Sequence, residues 1–174
     1  MKFKDIPQFT SYGSYEANQS LRYLPEWIRQ NQEETGLELN PDFQRGHVWT
    51  ECQQIRYMEY LLHGGKAART ILFNHPGWMG SFKGPFVCVD GLQRITTCLK
   101  FMDDKLPVFG GYYLHDFEDK IPRDIDLKLN INNLQTRKEV LQWYIELNSG
   151  GTVHTDAEID RVKKLLRKED EQDG

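Results

Sequence analysis

The sequence predicts an α/β or α+β domain in which a small mixed sheet is flanked by helices. Short apolar runs of strand length occur at 71–73 and 86–89, and residues 127–131 alternate between apolar and polar like a half-buried strand. Helical periodicity and capping motifs occupy much of the remaining chain. At 174 residues, 39% of them hydrophobic, the chain is long enough for a single domain, residues 1–174, with a substantial core.

The first part of the chain predicts one helix and one short strand. Residues 11–19 are polar and turn-like. Pro25 suits a first helical turn, and the helix that follows is expected to stop at Gly36. Residues 37–39 then alternate as a short strand does.

Three capping boxes predict three further helices. In each box a threonine precedes Gln or Glu by three positions: Thr50 with Gln53, Thr136 with Glu139, and Thr155 with Glu158. The residues expected to face the core are, helix by helix, Ile55, Met58, Leu61 and Leu62; Val140, Leu141, Tyr144 and Leu147; and Ile159, Val162, Leu165 and Leu166. The acidic segment 168–174 is expected to be frayed and solvated.

Another helix should follow the strand 86–89 almost directly, since apolar positions repeat with helical period from Ile95 to Met102. A hairpin is predicted around Gly110 and Gly111, between two short apolar runs.

Composition restricts the classes of function. The formal charge of −4 does not favour bulk attraction to nucleic acid or acidic membranes, so such contacts would need a local patch. Three widely spaced cysteines predict neither a disulfide framework nor a Cys-x-x-Cys metal pair, which favours a reducing, cytoplasmic setting. No signal peptide or membrane-spanning run is recognisable.

The junction between the strand 86–89 and the next helix carries the residues Asp90, Gly91, Leu92, Gln93 and Arg94. A tight strand-to-helix turn leaves helix N–H groups pointing outward, and with the helix dipole they form an anion site. Gly91 would let a phosphate approach the backbone, and Arg94 would clamp it. Gln93 would orient a water or a phosphate oxygen, while Asp90 would bind Mg²⁺ or accept a proton.

Thr96 and Thr97 lie within one turn of this junction and would add hydroxyl contacts to a phosphate. The alternative is local: Asp90 is an N-cap, Gln93 closes a variant capping box, and Arg94 is a solvated surface residue.

A second Gln-Arg pair, Gln44 and Arg45, precedes the first capped helix. Two such pairs in one small domain indicate two sides of one anionic ligand. Alternatively, Arg45 pairs with Asp42 or Glu51.

The span 60–89 contains no Asp or Glu, and its cations and aromatics are typical of a nucleic-acid contact. The candidate residues are Lys66, Arg69, Trp78 and Lys83. The alternative is an ordinary loop with a core-packed Trp78. The histidines lack metal-ligand spacing.

Three segments together resemble a known family: "PDFQRGHVW", "VDGLQRITTCLKF" and "YIELNSGGTVHTDAEI". They are similar to the N-terminal domain of GmrSD-type, modification-dependent restriction enzymes, which belongs to the ParB/sulfiredoxin-like superfamily. The resemblance covers about 37–166. It implies a compact ParB/sulfiredoxin-like fold, NTP binding, and NTP hydrolysis that governs attack on DNA.

The resemblance also assigns residues. The loop from Asp90 to Arg94 would be the phosphate loop, and Gln44 with Arg45 the second polar cluster. The positions that match the family's Asn-x-Gly-Gly segment are Asn148, Gly150, Gly151 and Thr152. Leu92 stands where the family usually has Gln and where sulfiredoxin has its reactive cysteine, so reductase chemistry is not expected.

No histidine cluster typical of an HNH nuclease is evident, and restriction enzymes of the resembled kind usually carry their nuclease in a separate domain, so the chain is not expected to be a complete endonuclease. A partner protein that carries a nuclease or modification activity is a further expectation. The chain is then expected to act in the cytoplasm, of the host if it is phage-encoded, as an NTP- and Mg²⁺-dependent phosphohydrolase that works with DNA. One alternative is a kinase that phosphorylates a hydroxyl, such as that of a hydroxymethylated base. Others are a non-catalytic DNA- or protein-binding module and, more remotely, a nicking nuclease.

Overall fold

A computed structural model of the chain describes residues 1–6, 15–46, 48–149 and 156–172, apart from the side chains of Lys4 and Asp156. Its four-stranded sheet has the order β1-β4-β2-β3. The strands are β1 (Tyr15–Ser20), β2 (Thr70–Asn74), β3 (Val87–Asp90) and β4 (Asp126–Asn132). β4 runs parallel to β2 and antiparallel to β1, while β2 and β3 are antiparallel. The sheet is therefore mixed, which confirms the predicted fold class.

Five α-helices surround the sheet within the described ranges. They are α1 (Leu24–Thr35), α2 (Glu51–Leu62), α3 (Leu92–Met102), α4 (Arg137–Ser149) and α5 (Asp156–Gln172). Gly36 ends α1 in the left-handed conformation, as the sequence predicts. The capping boxes of α2 and α4 are formed, because Thr50 Oγ1 accepts from the Gln53 amide and Thr136 Oγ1 from the Glu139 amide. Thr155, in the third box, lies outside the described residues.

The sequence-based interpretation was wrong at the N-terminal edge of the sheet. Residues 15–19 belong to strand β1 and not to a turn. The predicted strand at 37–39 is reduced to one bridge between Glu38 and Val87. The hairpin at Gly110 and Gly111 is confirmed, since Val108 and Tyr112 exchange backbone hydrogen bonds of 2.8 Å.

The acidic C-terminal segment was predicted to be frayed, which is wrong, because α5 continues to Gln172. The prediction that it is solvated is confirmed for Lys168 and for residues 170–172, which are exposed. Two ion pairs anchor the last turns of α5 to the start of α4. Arg137 Nε lies 3.0 Å from Glu169 Oε1, and Lys138 pairs with Asp170. Residues 173–174 lie outside the described part of the chain.

Two apolar cores lie on opposite faces of the sheet. The larger core joins the sheet to α1, α2 and α3 and contains Leu24, Met58, Phe73 and Phe101. The smaller core joins β3 to α4 and α5 and contains Phe43, Val89, Leu141, Tyr144 and Val162. Because both faces are packed where β3 lies, the end of β3 and the start of α3 are held rigidly between two layers. None of the described helices combines the length and apolar character needed to cross a bilayer.

Candidate functional site

A cleft of about 260 Å³ opens where β3 runs into α3. Its lining residues are Gln44, Arg45, Trp49, Asp90, Gly91, Leu92, Gln93, Arg94, Leu147 and Asn148. The two Gln-Arg pairs, which the sequence separates widely, therefore line one cavity. A ligand in this cavity could contact both pairs, and that they bind one ligand stays a prediction.

Gly91 determines how closely the chain turns at the floor of the cleft. Its φ of 116° lies in the region that favours glycine, and a β-carbon at this position would lie 2.6 Å from Ile71 Cδ1. Gly91 is the N-cap of α3 and makes no side-chain cap hydrogen bond. The alternative interpretation, in which Asp90 caps α3, is therefore wrong. The positive end of the α3 dipole opens to the cleft.

Arg94 is fixed beside this helix start. Its Nη1 donates to Thr70 O at 2.6 Å and to Asp90 Oδ2 at 3.2 Å. A guanidinium carries five N–H groups, so these two contacts orient Arg94 without using all of its donors. The alternative of a solvated surface arginine does not describe a side chain that is 25% exposed and bonded to β2.

Arg45 lines the cleft from a separate segment of the chain. Its Nη1 lies 3.6 Å from Glu158 Oε2 on α5, and its side chain is only 17% exposed. Asp42, an alternative partner suggested by the sequence, instead holds Arg137, with both carboxylate oxygens 2.8 Å from Arg137 Nη2. A phosphate entering the cleft would therefore meet an arginine that already has a carboxylate neighbour.

α5 holds the backbone beside Arg45 as well. The guanidinium of Arg161 donates to the carbonyls of Asp42, Phe43 and Gln44 at 3.1, 3.2 and 2.8 Å. Three carbonyls converging on one guanidinium fix the path of this segment. Sequence reasoning missed Arg161, because a charged residue on an amphipathic helix resembles any solvated position.

The two glutamines act as ties between backbone segments. Gln93 Oε1 accepts from Val48 N at 2.9 Å and Trp49 N at 3.0 Å, and Gln93 Nε2 donates to Gly46 O at 2.7 Å. Gln44 Nε2 donates to the carbonyls of Cys88 and Val89. Gln44 is thus tied to β3, and residues 46, 48 and 49 are tied to α3, which holds Arg45 and Arg94 on one cavity.

The other candidate phosphate contacts are placed differently. Thr97 is fully buried, and its hydroxyl donates to Gln93 O at 2.7 Å. Neither Thr96 nor Thr97 is among the cleft-lining residues. Asn148 does line the cleft, and its Nδ2 donates to Tyr144 O at 2.7 Å. Gly150, Gly151 and Thr152 lie outside the described residues.

One wall of the cleft is apolar. Leu147 was predicted to face the core, but it is 41% exposed and lines the cavity. Trp49 stands among the same lining residues and packs edge-on against Tyr57, with ring centroids 5.3 Å apart. The cavity therefore offers cationic groups, a carboxylate and a flat aromatic surface together.

The candidate nucleic-acid residues do not form one patch. Arg69 is buried and pairs with Asp126 at 2.8 Å, which gives it a structural role between β2 and β4. Trp78 packs in an aromatic cluster, 5.1 Å from Phe86 between ring centroids. Lys66 and Lys83 are exposed.

A metal ion at the cleft would depend on Asp90. Within the described residues, no cluster of three or more His, Cys, Asp or Glu side chains is placed to hold an ion. Mg²⁺ is commonly held by one or two carboxylates together with phosphate oxygens and water, so a single aspartate fits such a site only when a polyphosphate is bound. The thiols of Cys88 and Cys98 are buried away from the cleft lining, and burial raises the pKa of both, that of Cys98 to about 12.

A match to a known family supports the resemblance that the sequence motifs suggest. A family model described as "GmrSD restriction endonuclease, N-terminal domain" matches residues 26–130. The chain belongs to this family. Membership implies a role in the restriction of modified DNA. No curated protein and no solved structure matches the chain.

The matched range of this GmrSD N-terminal domain includes both Gln-Arg pairs, the strand β3 and the helix α3. The matched range ends within β4, before α4 and α5. Leu147 and Asn148 of α4 line the cleft, and Glu158 of α5 pairs with the lining residue Arg45. The resemblance noted at about 37–166 is therefore supported over its first part, and the Asn148 segment lies beyond the match.

Proposed function

We propose that this GmrSD N-terminal domain binds a nucleoside triphosphate by its phosphates in the cleft and hydrolyses it in the service of DNA restriction. The observation that carries the proposal is the position of Arg45 and Arg94, which reach one cavity from separate segments at the open N-terminus of α3. Guanidinium groups and helix N-termini are the groups proteins use most readily for phosphates.

Asp90 has the chemistry for the reacting end of the nucleotide. It would supply a carboxylate ligand to Mg²⁺, which would offset charge on the phosphates, or it would accept the proton of the attacking water. In hydrolysis, water oxygen bonds to the γ-phosphorus, the bond from that phosphorus to the β,γ-bridging oxygen breaks, and the nucleoside diphosphate leaves. Asp90 is 42% exposed, so water has access to it.

Gln93 takes a positioning role in this proposal. Its amide oxygen already accepts two backbone hydrogen bonds, so it has little capacity left to orient a nucleophilic water. Transition-state charge would then be offset mainly by Arg45, Arg94, the helix dipole and the metal ion.

A binding module without catalysis is the second candidate, and the engaged glutamines favour it. Gln93 and Gln44 both serve as backbone ties, and Leu92 provides no polar group at the cleft. In this case the cleft would sense a nucleotide, and DNA cleavage would reside in a partner protein.

Nucleotide binding and turnover separate the two candidates. The protein is incubated with each γ-labelled NTP and Mg²⁺, with and without plain or hydroxymethylated DNA, and phosphate release and label transfer are followed. Phosphate release supports the hydrolase, and label on DNA identifies a kinase instead. Binding with neither product supports the non-catalytic module.

Variants test the placement of the site. Arg94→Ala and Arg45→Ala should each weaken nucleotide binding at least tenfold, since each removes a charge-assisted phosphate contact. Arg29→Ala is the matched control, because Arg29 lies on α1 with partners on its own helix, Glu26 and Glu33. If both cleft variants bind and turn over NTP like the Arg29 variant, the site is misplaced.

A further inference from the structure

A second cavity, separate from the cleft, lies at the C-terminal end of α3. This groove of about 260 Å³ is lined chiefly by apolar side chains, among them Leu62, Phe101, Phe109, Leu114, Phe117 and Ile121. We call it the α3 C-terminal groove. The lining residues Phe109 and Phe117 are 39% and 37% exposed. Tyr112, which is 56% exposed and does not line the groove, packs against Phe117 with ring centroids 6.3 Å apart. Clustered exposed apolar surface of this kind is typical of binding surfaces.

The backbone at Phe109 is held in an unfavourable conformation. Its φ of 50° lies in the left-handed region, where a bulky aromatic residue is uncommon. Glu59 Oε1 accepts from Phe109 N at 2.6 Å, and the ring contacts His63 edge-on with centroids 5.2 Å apart. Glycine would suit this position better, and the chain has Gly110 and Gly111 directly after it. In this conformation the Phe109 ring lies on the lining of the groove.

The border of the groove carries an excess of negative charge. Asp119 lines the groove itself. Three further carboxylates accept hydrogen bonds from backbone N–H groups of lining residues or their direct neighbours: Glu59, Asp104 and Asp116. The opposing groups include Lys120 on the groove wall and Arg22, whose Nε donates to Ile121 O. They also include the exposed Arg123, next to the lining residue Pro122, and His115, which pairs with Asp104 and Asp116. A complementary ligand would be apolar at its centre and basic at its ends.

The position of the groove leaves the cleft free. α3 has 11 residues and spans roughly 16 Å at about 1.5 Å per residue. The cleft lies at its first residues and the groove at its last. A ligand seated in the groove would therefore not cover the cleft.

We propose that the α3 C-terminal groove docks a segment of a partner protein that carries an apolar anchor flanked by lysine or arginine residues. The aromatic rim supplies the contact area, and the carboxylates select basic flanks. This interaction does not depend on the nucleotide chemistry proposed for the cleft.

The test uses a fluorescein-labelled synthetic amphipathic peptide, with Leu and Trp on one helical face and Lys on the other. Anisotropy is measured with the full chain at low and raised salt, and a second peptide carries Glu in place of Lys. We expect saturable binding of the Lys peptide that weakens with salt, and at least tenfold weaker binding of the Glu peptide.

The double variant Phe109→Gly, Tyr112→Ser should bind the Lys peptide at least tenfold more weakly than the unchanged protein. The glycine relieves the backbone strain, so this variant is expected to stay folded, which circular dichroism checks. Tyr23→Ser, which removes an aromatic residue of similar exposure outside the groove, is the matched control and should bind normally.

Three outcomes would overturn the proposal. The Lys peptide fails to bind, or it binds the groove variant as tightly as the Tyr23 variant. In the third outcome, sedimentation shows self-association that the groove variant abolishes, which assigns the groove to a second copy of the chain.

Discussion

Gln93 and Trp49 are joined by a hydrogen bond of 3.0 Å from the Trp49 backbone nitrogen to Gln93 Oε1. The same oxygen accepts from Val48 N, and the amide nitrogen of Gln93 donates to Gly46 O. The Gln93 side chain, at the first turn of α3, thus forms hydrogen bonds with three backbone groups of the segment that leads into α2. The shape of the cleft depends on this tie, because the segment carries Arg45 and Trp49.

Gln93→Ala should therefore lower the free energy of unfolding by about 1–3 kcal/mol, since three backbone groups lose their partner. Urea denaturation measures the change. Gln30→Ala, at an exposed position of α1, is the matched control and should change it by less than about 0.5 kcal/mol. Equal effects of the two substitutions would contradict the role assigned to Gln93.

Gly91→Ala should destabilise the protein more than Gly110→Ala. Both glycines have positive φ, 116° and 82°, so both alanine variants are strained, at a cost of about 1–2 kcal/mol. Only at Gly91 does the added carbon also meet Ile71 Cδ1 at 2.6 Å, whereas nothing lies within 4 Å at Gly110. The additional cost at Gly91 should be about 1–3 kcal/mol, measured by thermal or urea unfolding.

His75 should make the protein sensitive to acid. Burial lowers the pKa of this histidine below its ordinary value, so the unfolded chain binds the proton more readily. Its contribution to stability is present above about pH 6.5 and is lost as the pH falls through the lower folded-state pKa. His75→Phe should flatten the decline of unfolding free energy as the pH falls below about 6.5.

His115→Gln is the control for this pH dependence, because the pKa of His115 is shifted in the opposite direction to that of His75. The hydrogen bond to Asp104 raises the pKa of His115, so its stabilisation is present below about pH 6.5 and lost as the pH rises through the folded-state pKa. An acid profile unchanged by His75→Phe would show that burial of this imidazole is not the cause.

Arg161→Ala should loosen the segment beside Arg45 with little effect on global stability. The guanidinium bonds three carbonyls of residues 42–44, but the residue is exposed, so water replaces much of what is lost. We expect several-fold faster hydrogen exchange at the Gln44 amide, which donates to Pro41 O. Arg167→Ala, also exposed on α5, should leave that exchange rate unchanged.

Local patterns were sufficient to predict much of the fold. The alternation of Leu127, Leu129 and Ile131 gave β4, and the boxes at Thr50 and Thr136 gave the starts of α2 and α4. β1 escaped prediction because "YEANQS" is mostly polar, with apolar groups only at Tyr15 and Ala17. Its stability comes from an antiparallel register with β4, which is a partner more than a hundred positions away.

The sequence pattern was sufficient to predict which charged residues line the cleft, but not the contacts that hold them there. The Gln-Arg repetition indicated that Arg45 and Arg94 face one ligand, and both line the cleft. The ties made by Gln44 and Gln93, the pair of Arg45 with Glu158 and the burial of Arg69 are tertiary contacts. A single sequence carries no local signal for such contacts, because the residue types are the same as those of solvated surface positions.

The layer formed by α4 and α5 has a practical consequence for trimming the chain. A fragment limited to residues 26–130 would lack β1, the end of β4 and both of these helices. Phe43 and Val89, which are 1% and 0% exposed, would then face water, and β4 would lose its antiparallel neighbour. Such a fragment should be prone to aggregation through its bare strand edge and uncovered apolar face.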